Sequence, residues 1–324
     1  MNRFFSTTCA LLMLIGCESG RSGSKGDLSV LLESEETIAE GLAAGSGPED
    51  ILDGWSAGFD KYIVAIGNID IHRSTNETIE AEDANVIVVD LKKLSSGGRP
   101  LWSFRNLDAG RWEFFYETPN APSDAVQDES VSSDDFDDFV SNQLTYRIEG
   151  SIEKSDGISC PPSTLSTDTV AAPNGILNAR GDDCYDNPSI HFTWPIQIAT
   201  VFGPCEVDET PGFSVPSGGS QTVAITLHGD HLFFNGFASG AEGSITRLAQ
   251  WLADCDLDVD GEVTPDELQA ITPADLAEID SRYELGASPI ELNSMWDYVA
   301  AQLKTQGHFQ GEGECPVDGV AHDH

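Results

Sequence analysis

Residues 256–267 read DLDVDGEVTPDE, an order in which oxygen donors recur around a single glycine. Asp256, Asp258 and Asp260 stand at positions 1, 3 and 5 of a twelve-residue loop, and Gly261 stands at position 6, where the chain must turn sharply. Glu262 offers its backbone carbonyl at position 7. Thr264 is at position 9, where a water often mediates, and Glu267 closes position 12 as a bidentate carboxylate. A hard cation takes about six to eight oxygens, and this spacing is that of the EF-hand calcium loop. The competing reading is an acidic surface turn that binds nothing.

Histidines form the second candidate chemistry. LHGDHLFF places His228 and His231 three apart at an expected strand end, with Asp230 between them, and GHFQGEGEC adds His308 near the C-terminus. Neutral imidazole is the commonest protein ligand of zinc and copper. In a regular strand, positions three apart face opposite ways, so a shared metal needs a turn at Gly229 and Asp230. Otherwise each ring would simply cap backbone groups around a tight turn. His72 ends one expected strand, His191 opens another, and His322 and His324 lie in the C-terminal tail.

These residues need elements to position them. SITRLAQWLADC before the acidic loop places Ile245, Leu248, Leu252 and Cys255 at helical spacing, with Ser244 as N-cap. Pro265 suits the first turn of an exit helix, which Pro273 keeps short. SPIELNSMWDYVAAQLKTQG predicts a further helix, with Ser288 as N-cap, Pro289 at N1, Glu291 as the capping-box acid and an apolar stripe through Ile290, Met295, Trp296, Val299 and Leu303. The middle of the chain is punctuated by Gly, Pro, Ser and Asp clusters between short apolar alternations, which predicts strands. The fold expected is mostly β, a sandwich or partly open barrel of about seven or more antiparallel strands, with a C-terminal α-helical EF-hand region. APSDAVQDESVSSDDFDDF is an acidic insertion, expected as a mobile loop or a short helix.

The chain begins MNRFFSTTCALLMLIGCESG, with Arg3 before a short apolar run that is too short for a comfortable membrane span. LIGC resembles a bacterial lipobox, which implies cleavage before Cys17 and lipidation of that cysteine. Glu18 is not the aspartate associated with inner-membrane retention, which favours an outer-membrane lipoprotein facing the periplasm or the cell surface. The expected division is a signal peptide at 1–16, a flexible tether at 17–50, a β-sandwich at 51–240 and, at 241–324, a helical region carrying loop 256–267 and packed on the sandwich. Outside the cytoplasm cysteines are expected to pair. Cys160 with Cys184 and Cys205 with Cys315 are the expected bridges, with Cys255, on an apolar helix face, left over; sequence alone leaves other connectivities open.

The strand order FDKYIVAIGNIDI, VIVVDL, GRWEFFYE, LTYRIEGSI, IHFTWPI and VAITLHGDHLF resembles that of the metallo-mystery-pair proteins, over roughly residues 55–235. The resemblance implies a copper-associated β-sandwich that works beside a di-haem, peroxidase-like partner able to modify a tryptophan. It points to His191 as a residue near copper and to Trp194 or Trp112 as modification targets. Where that family carries His-x-Gly, this chain reads HFT.

Charge narrows the function further. Asp and Glu number 55 against 16 Lys and Arg, a formal net charge of −39. Such a surface repels nucleic acid and anionic lipid and concentrates cations. There is no Gly-rich phosphate loop or His-Glu-x-x-His. The expected function is therefore an extracytoplasmic, lipid-anchored metal-binding protein, with calcium as a structural cofactor in loop 256–267 and copper or zinc at the histidines. The alternatives are a calcium-stabilised adhesion or scaffold module without a transition metal, and a metal-dependent hydrolase centred on His228, Asp230 and His231.

Overall fold

KGDLSVLLES, residues 25–34, buries Leu28, Val30 and Leu32 and turns Asp27 and Ser29 outward, the two-residue period of a strand with one buried face. It lies inside a seven-stranded sheet rather than in a tether. A computed structural model of the chain describes residues 24–74, 79–95, 97–165, 169–237, 245–274, 282–283, 285 and 288–317. Within these, the tether expected over 17–50 gives way to strand Lys25–Ser34 and helix Glu36–Glu40. The apolar alternation outweighs the Ser, Gly and Glu residues that flank it. The signal segment 1–16 and Cys17 lie outside the described residues, as do Ser244, His322 and His324.

The first sheet runs Thr210–Pro211, Glu206–Val207, Gly313–Glu314, Gly307–Phe309, Ser220–Leu227, Lys25–Ser34, Arg99–Asp108. The second runs Thr200–Phe202, Gly110–Thr118, Ser56–Arg73, Tyr146–Glu153, Ser189–Ile196, Glu262–Val263. Phe213–Val215 pairs onto Gly110–Thr118, and Ile79–Asp90 pairs onto Ser56–Arg73. Most pairs are antiparallel, as expected. Lys25–Ser34 is an exception, pairing in parallel with Ser220–Leu227 in the register Val30↔Val223 and Leu32↔Ile225.

One apolar core joins the sheets. Leu28, Val30, Val223, Ile225 and Phe309 from the first are buried with Tyr62, Val64, Ile66, Phe114 and Trp194 from the second. Phe114 stacks on Phe309 with ring centroids 5.1 Å apart, a direct contact across the layers. The second sheet buries its other face as well. Ile63, Ala65, Val86 and Val88 are covered by Ala121, Val131 and Phe139 from the acidic insertion and by Leu144 just after it. That insertion forms helix Ser133–Ser141, capped by Ser132 and tied to the sheet through Lys61–Asp135 at 2.8 Å.

Region 241–324, expected as helical and packed on the sandwich, contributes strands as well as helices. Gly307–Phe309 and Gly313–Glu314 return to the first sheet, and the bridge Cys205–Cys315 fastens them there. Cys160–Cys184 is the second bridge, and Cys255 is buried outside any disulfide, the pairing expected from the sequence. The last helix is Met295–Thr305, later than expected: Ser294 and Asp297, not Ser288 and Glu291, form the capping box. Ser294 sits directly before the buried run Met295, Tyr298, Val299, so its cap and the apolar face start together. No helix among the described residues is long and apolar enough to cross a membrane.

Candidate metal centres

The acidic loop lies between two short helices, Gln250–Asp254 and Pro265–Ala270. The entry helix is shorter than its apolar spacing suggests. The Asp53 carboxylate accepts from the backbone N–H of Ala249 and Gln250, each at 2.8 Å, and so fixes the start there. Ile245–Leu248 is drawn away instead. Asn235 holds the Thr246 N–H at 2.7 Å, and Arg247 bridges to Ile51 and Phe234. The exit helix follows expectation, with Pro265 at its start and a capping box between Thr264 and Glu267.

Gly261 takes φ +87, which a side chain would resist, and turns the chain so that its N–H reaches Asp256 Oδ2 at 2.9 Å. Asp256, Asp258 and Glu267 each place a carboxylate oxygen within 4.8 Å of the others. Asp256 is buried, and that burial pushes its carboxyl up to about 6, against hydrogen bonds from Gly261 and Asn187 that lower it. Asp258 Oδ1 is buried with no hydrogen-bond partner. Asp260 stands outside this group, its Oδ1 accepting from the Glu262 N–H at 2.8 Å. Thr264 Oγ1 donates to Glu267 Oε2 at 2.8 Å, and Glu262, expected to ligate through its backbone carbonyl, has an exposed side chain. The donor set is entirely oxygen, which suits a hard cation.

The loop is also stitched to the second sheet. Glu262 and Val263 pair in parallel with His191 and Phe192, and Trp194 Nε1 donates to the Val263 carbonyl at 3.0 Å. Asn187 Nδ2 donates to Asp256 Oδ2 at 2.8 Å. Sequence reasoning missed Asn187, because it precedes the loop by 69 residues.

The histidines converge elsewhere. Strand Ser220–Leu227 ends at His228, and Gly229–Phe233 winds into a 3₁₀ turn. With about three residues per turn, positions i and i+3 lie one above the other, so the strand's alternation no longer separates His228 from His231. Strand Gly307–Phe309 pairs alongside in the register Thr226↔His308 and brings the third ring. His228 and His308 ring centroids are 4.1 Å apart, and each of the three histidines offers a nitrogen within 4.8 Å of the others.

One tautomer can be deduced. Thr305 Oγ1 donates to the Gln302 carbonyl at 2.8 Å, so it must accept from His231 Nδ1, 2.9 Å away. His231 Nε2 is left as a bare lone pair, 3.3 Å from His308 Nε2. Two nitrogens each about 2.05 Å from a tetrahedral ion lie about 3.3 Å apart. Burial, then the charges of His228 and Arg247, holds His231 well below its usual pKa; burial and the charges of His228 and His231 do the same to His308. Both rings are therefore neutral near pH 7, the form that ligates.

Asp230 was expected with these rings and is placed differently. It groups with Glu35 and His228, within 4.8 Å of each other, and Arg247 Nε donates to Asp230 Oδ2 at 2.7 Å. Glu35 and Arg247 were missed because neither belongs to a histidine-bearing motif. His191 is exposed beside the acidic loop and belongs to no such group among the described residues. Its strand points it outward, in the alternation that buries Ile190 and Phe192. Trp194 and Trp112 are both 1% exposed, so a modifying partner could not reach either ring without opening the core. His72 packs on Phe115, with ring centroids 4.4 Å apart. No family model, no curated protein and no solved structure matches this chain.

Proposed function

We propose that this chain is an extracytoplasmic metal-binding protein, held at a membrane by lipid on Cys17, with a transition-metal centre at His228, His231 and His308 and a structural calcium site in loop 256–267. The observation that carries the reading is the 3.3 Å approach of His231 Nε2 to His308 Nε2 in a cluster whose His228 and His231 are buried. At that distance a neutral His308 either donates its Nε2 proton to the His231 lone pair or, with its proton on Nδ1, joins His231 Nε2 on one ion. Three neutral nitrogens suit copper(II) or zinc better than calcium. The metallo-mystery-pair resemblance favours copper and a di-haem partner, though through His191 rather than through this cluster.

The calcium reading rests on Asp256, Asp258 and Glu267, with the unpartnered Asp258 Oδ1 turned into the structure. EF-hand sensors usually work in pairs. Here the sandwich strand at His191–Phe192 pairs with the loop in place of a second hand, which suits a strut rather than a switch.

Metal analysis of tag-free protein, purified without chelator or metal resin, tests both sites. The expected result is copper or zinc retained through desalting by wild type and lost from His308→Ala, with calcium bound by both at dialysis equilibrium. Transition metal held equally by wild type and His308→Ala defeats the histidine centre. Calcium bound equally by wild type and Glu267→Gln defeats the loop. Loss of both metals from wild type leaves only a scaffold module.

A further inference from the structure

His228 belongs to two groups of potential ligands. With His231 and His308 it forms the cluster above, and its Nε2 lies 3.3 Å from the Gly311 carbonyl. Its Nδ1 lies 3.8 Å from Glu35 Oε2, and Glu35, His228 and Asp230 each place a ligand atom within 4.8 Å of the other two. We propose that Glu35, Asp230 and His228 hold a second cation, so that the centre is a two-metal site with the His228 ring between the ions. This rests on the three-histidine reading above and extends it.

Three observations carry the proposal. Asp230 is 2% exposed, and its Oδ1 has no hydrogen-bond partner, while Oδ2 is taken by Arg247. A buried carboxylate oxygen left bare is costly and calls for a donor or a cation. Glu35 is the second carboxylate, placed where strand Lys25–Ser34 ends, and the Thr37 hydroxyl donates to its Oε2. Two carboxylates thus converge on one histidine nitrogen, with Arg247 the one guanidinium paired to them among the described residues. The Arg247 charge offsets one carboxylate and leaves a net negative charge, which a dication would neutralise. The third observation is chemical division: the two groups that share His228 add imidazole nitrogens of His231 and His308 in one and carboxylate oxygens of Glu35 and Asp230 in the other. That pattern gives one softer, nitrogen-rich position and one harder, oxygen-rich position.

Other clusters carry less. The exposed apolar side chains Val170, Ile176 and Leu177 near the Cys160–Cys184 bridge have nothing to indicate what covers them. The buried tyrosines Tyr62, Tyr116 and Tyr146 belong to the core.

A neutral imidazole carries one N–H proton, and a bridging ring must release it so that each nitrogen donates a lone pair to an ion. That one proton leaves to solvent or buffer as the second cation binds. That step involves no change of oxidation state.

The test is titration of metal-free protein with copper(II), in excess calcium so that the acidic loop is filled, followed by electron paramagnetic resonance and by metal analysis after desalting. Wild type should retain two equivalents. The first should give an isolated copper(II) signal, and the second should diminish it by coupling through the imidazole. Glu35→Gln, which keeps the size and the Thr37 hydrogen bond, should retain one equivalent with an undiminished signal. His308→Ala should lose the nitrogen-rich equivalent and keep the other at lower affinity. One equivalent in wild type, with Glu35→Gln unchanged, overturns the second cation and leaves the three-histidine centre standing. One equivalent in wild type whose affinity falls in Glu35→Gln makes Glu35 an orienting carboxylate for His228 and likewise overturns it. No copper in wild type removes both readings. Circular dichroism of each variant separates these outcomes from misfolding.

Discussion

Replacing Asp258 by asparagine is the sharpest probe of the acidic loop, because its Oδ1 is buried and takes no hydrogen bond. Glu267 is a poorer probe. It takes the Leu257 N–H at 2.8 Å and completes the capping box with Thr264, so Glu267→Gln costs about 1 kcal/mol of cap energy with or without calcium. Asp258→Asn leaves those bonds intact and removes one of three clustered carboxylates, so the ion-free variant should be as stable as wild type or slightly more so. Extracellular calcium modules have dissociation constants of about 10⁻⁴ to 10⁻³ M, so about 10 mM calcium is 10 to 100 times that value and stabilises by roughly 1.4–2.7 kcal/mol. An unfolding entropy near 2.1 cal/mol/K per residue over about 300 residues converts this to a rise in Tm of about 2–4 °C. The assay is a thermal melt of both proteins in calcium and in magnesium at matched ionic strength. Magnesium is the necessary control, since a chain with net charge −39 gains stability from screening by any cation. The expected result is a calcium-over-magnesium increment in wild type that vanishes in Asp258→Asn. An increment of equal size in both proteins refutes the loop as the site.

Four further outcomes follow from the same structure. Opening Cys205–Cys315, which closes 110 residues, should cost about 4.8 kcal/mol by chain entropy against about 3.4 kcal/mol for the 24-residue Cys160–Cys184 loop, read from denaturant melts of the double-alanine variants. The first loss should also weaken copper binding, because it releases the strand that carries His308. Gly307→Ala should do the same through packing, since a Cβ there would meet Tyr116 Oη at 2.4 Å and Phe202 at 2.5 Å; a copper affinity unchanged from wild type would contradict the placement of His308. Burial pushes the Asp128 carboxyl up, but hydrogen bonds from Ser130 and Arg99 outweigh it and leave it lowered, so its contribution is present above the ordinary carboxylate pKa and lost as pH falls through the depressed value. Asp128→Asn should therefore flatten the acid limb of the stability curve below about pH 4. Cys17→Ser should move the protein from the membrane fraction to the soluble one, and mass spectrometry of an unmodified wild-type N-terminus would refute lipidation.

Much was legible in the sequence because it is carried by local spacing. The acidic loop reads along twelve consecutive residues, and its exit-helix cap lies within them. Two-residue alternation gave strands Tyr146–Glu153, Ser189–Ile196 and Ser220–Leu227. Cysteine pairing followed from compartment and neighbourhood. Alternation was also present in KGDLSVLLES, yet Ser, Gly and Glu on its flanks made it read as tether. Only a sheet partner on each side, Ser220–Leu227 and Arg99–Asp108, makes it a strand. The length of the entry helix was likewise decided from outside, by Asp53.

The candidate centres divide in the same way. Sequence determines which donors exist, because ligand chemistry is a property of residue type. Tertiary structure decides which donors meet, because contact across long separations depends on sheet register. Thr226↔His308 brings His308 to His231, 77 residues away in the chain, and the 3₁₀ turn sets His231 over His228. The parallel pairing of Lys25–Ser34 with Ser220–Leu227 runs both strands toward the same end, so Glu35 arrives beside His228. A one-residue slip in either register would turn these side chains to the opposite face, and no local pattern in the chain records that choice.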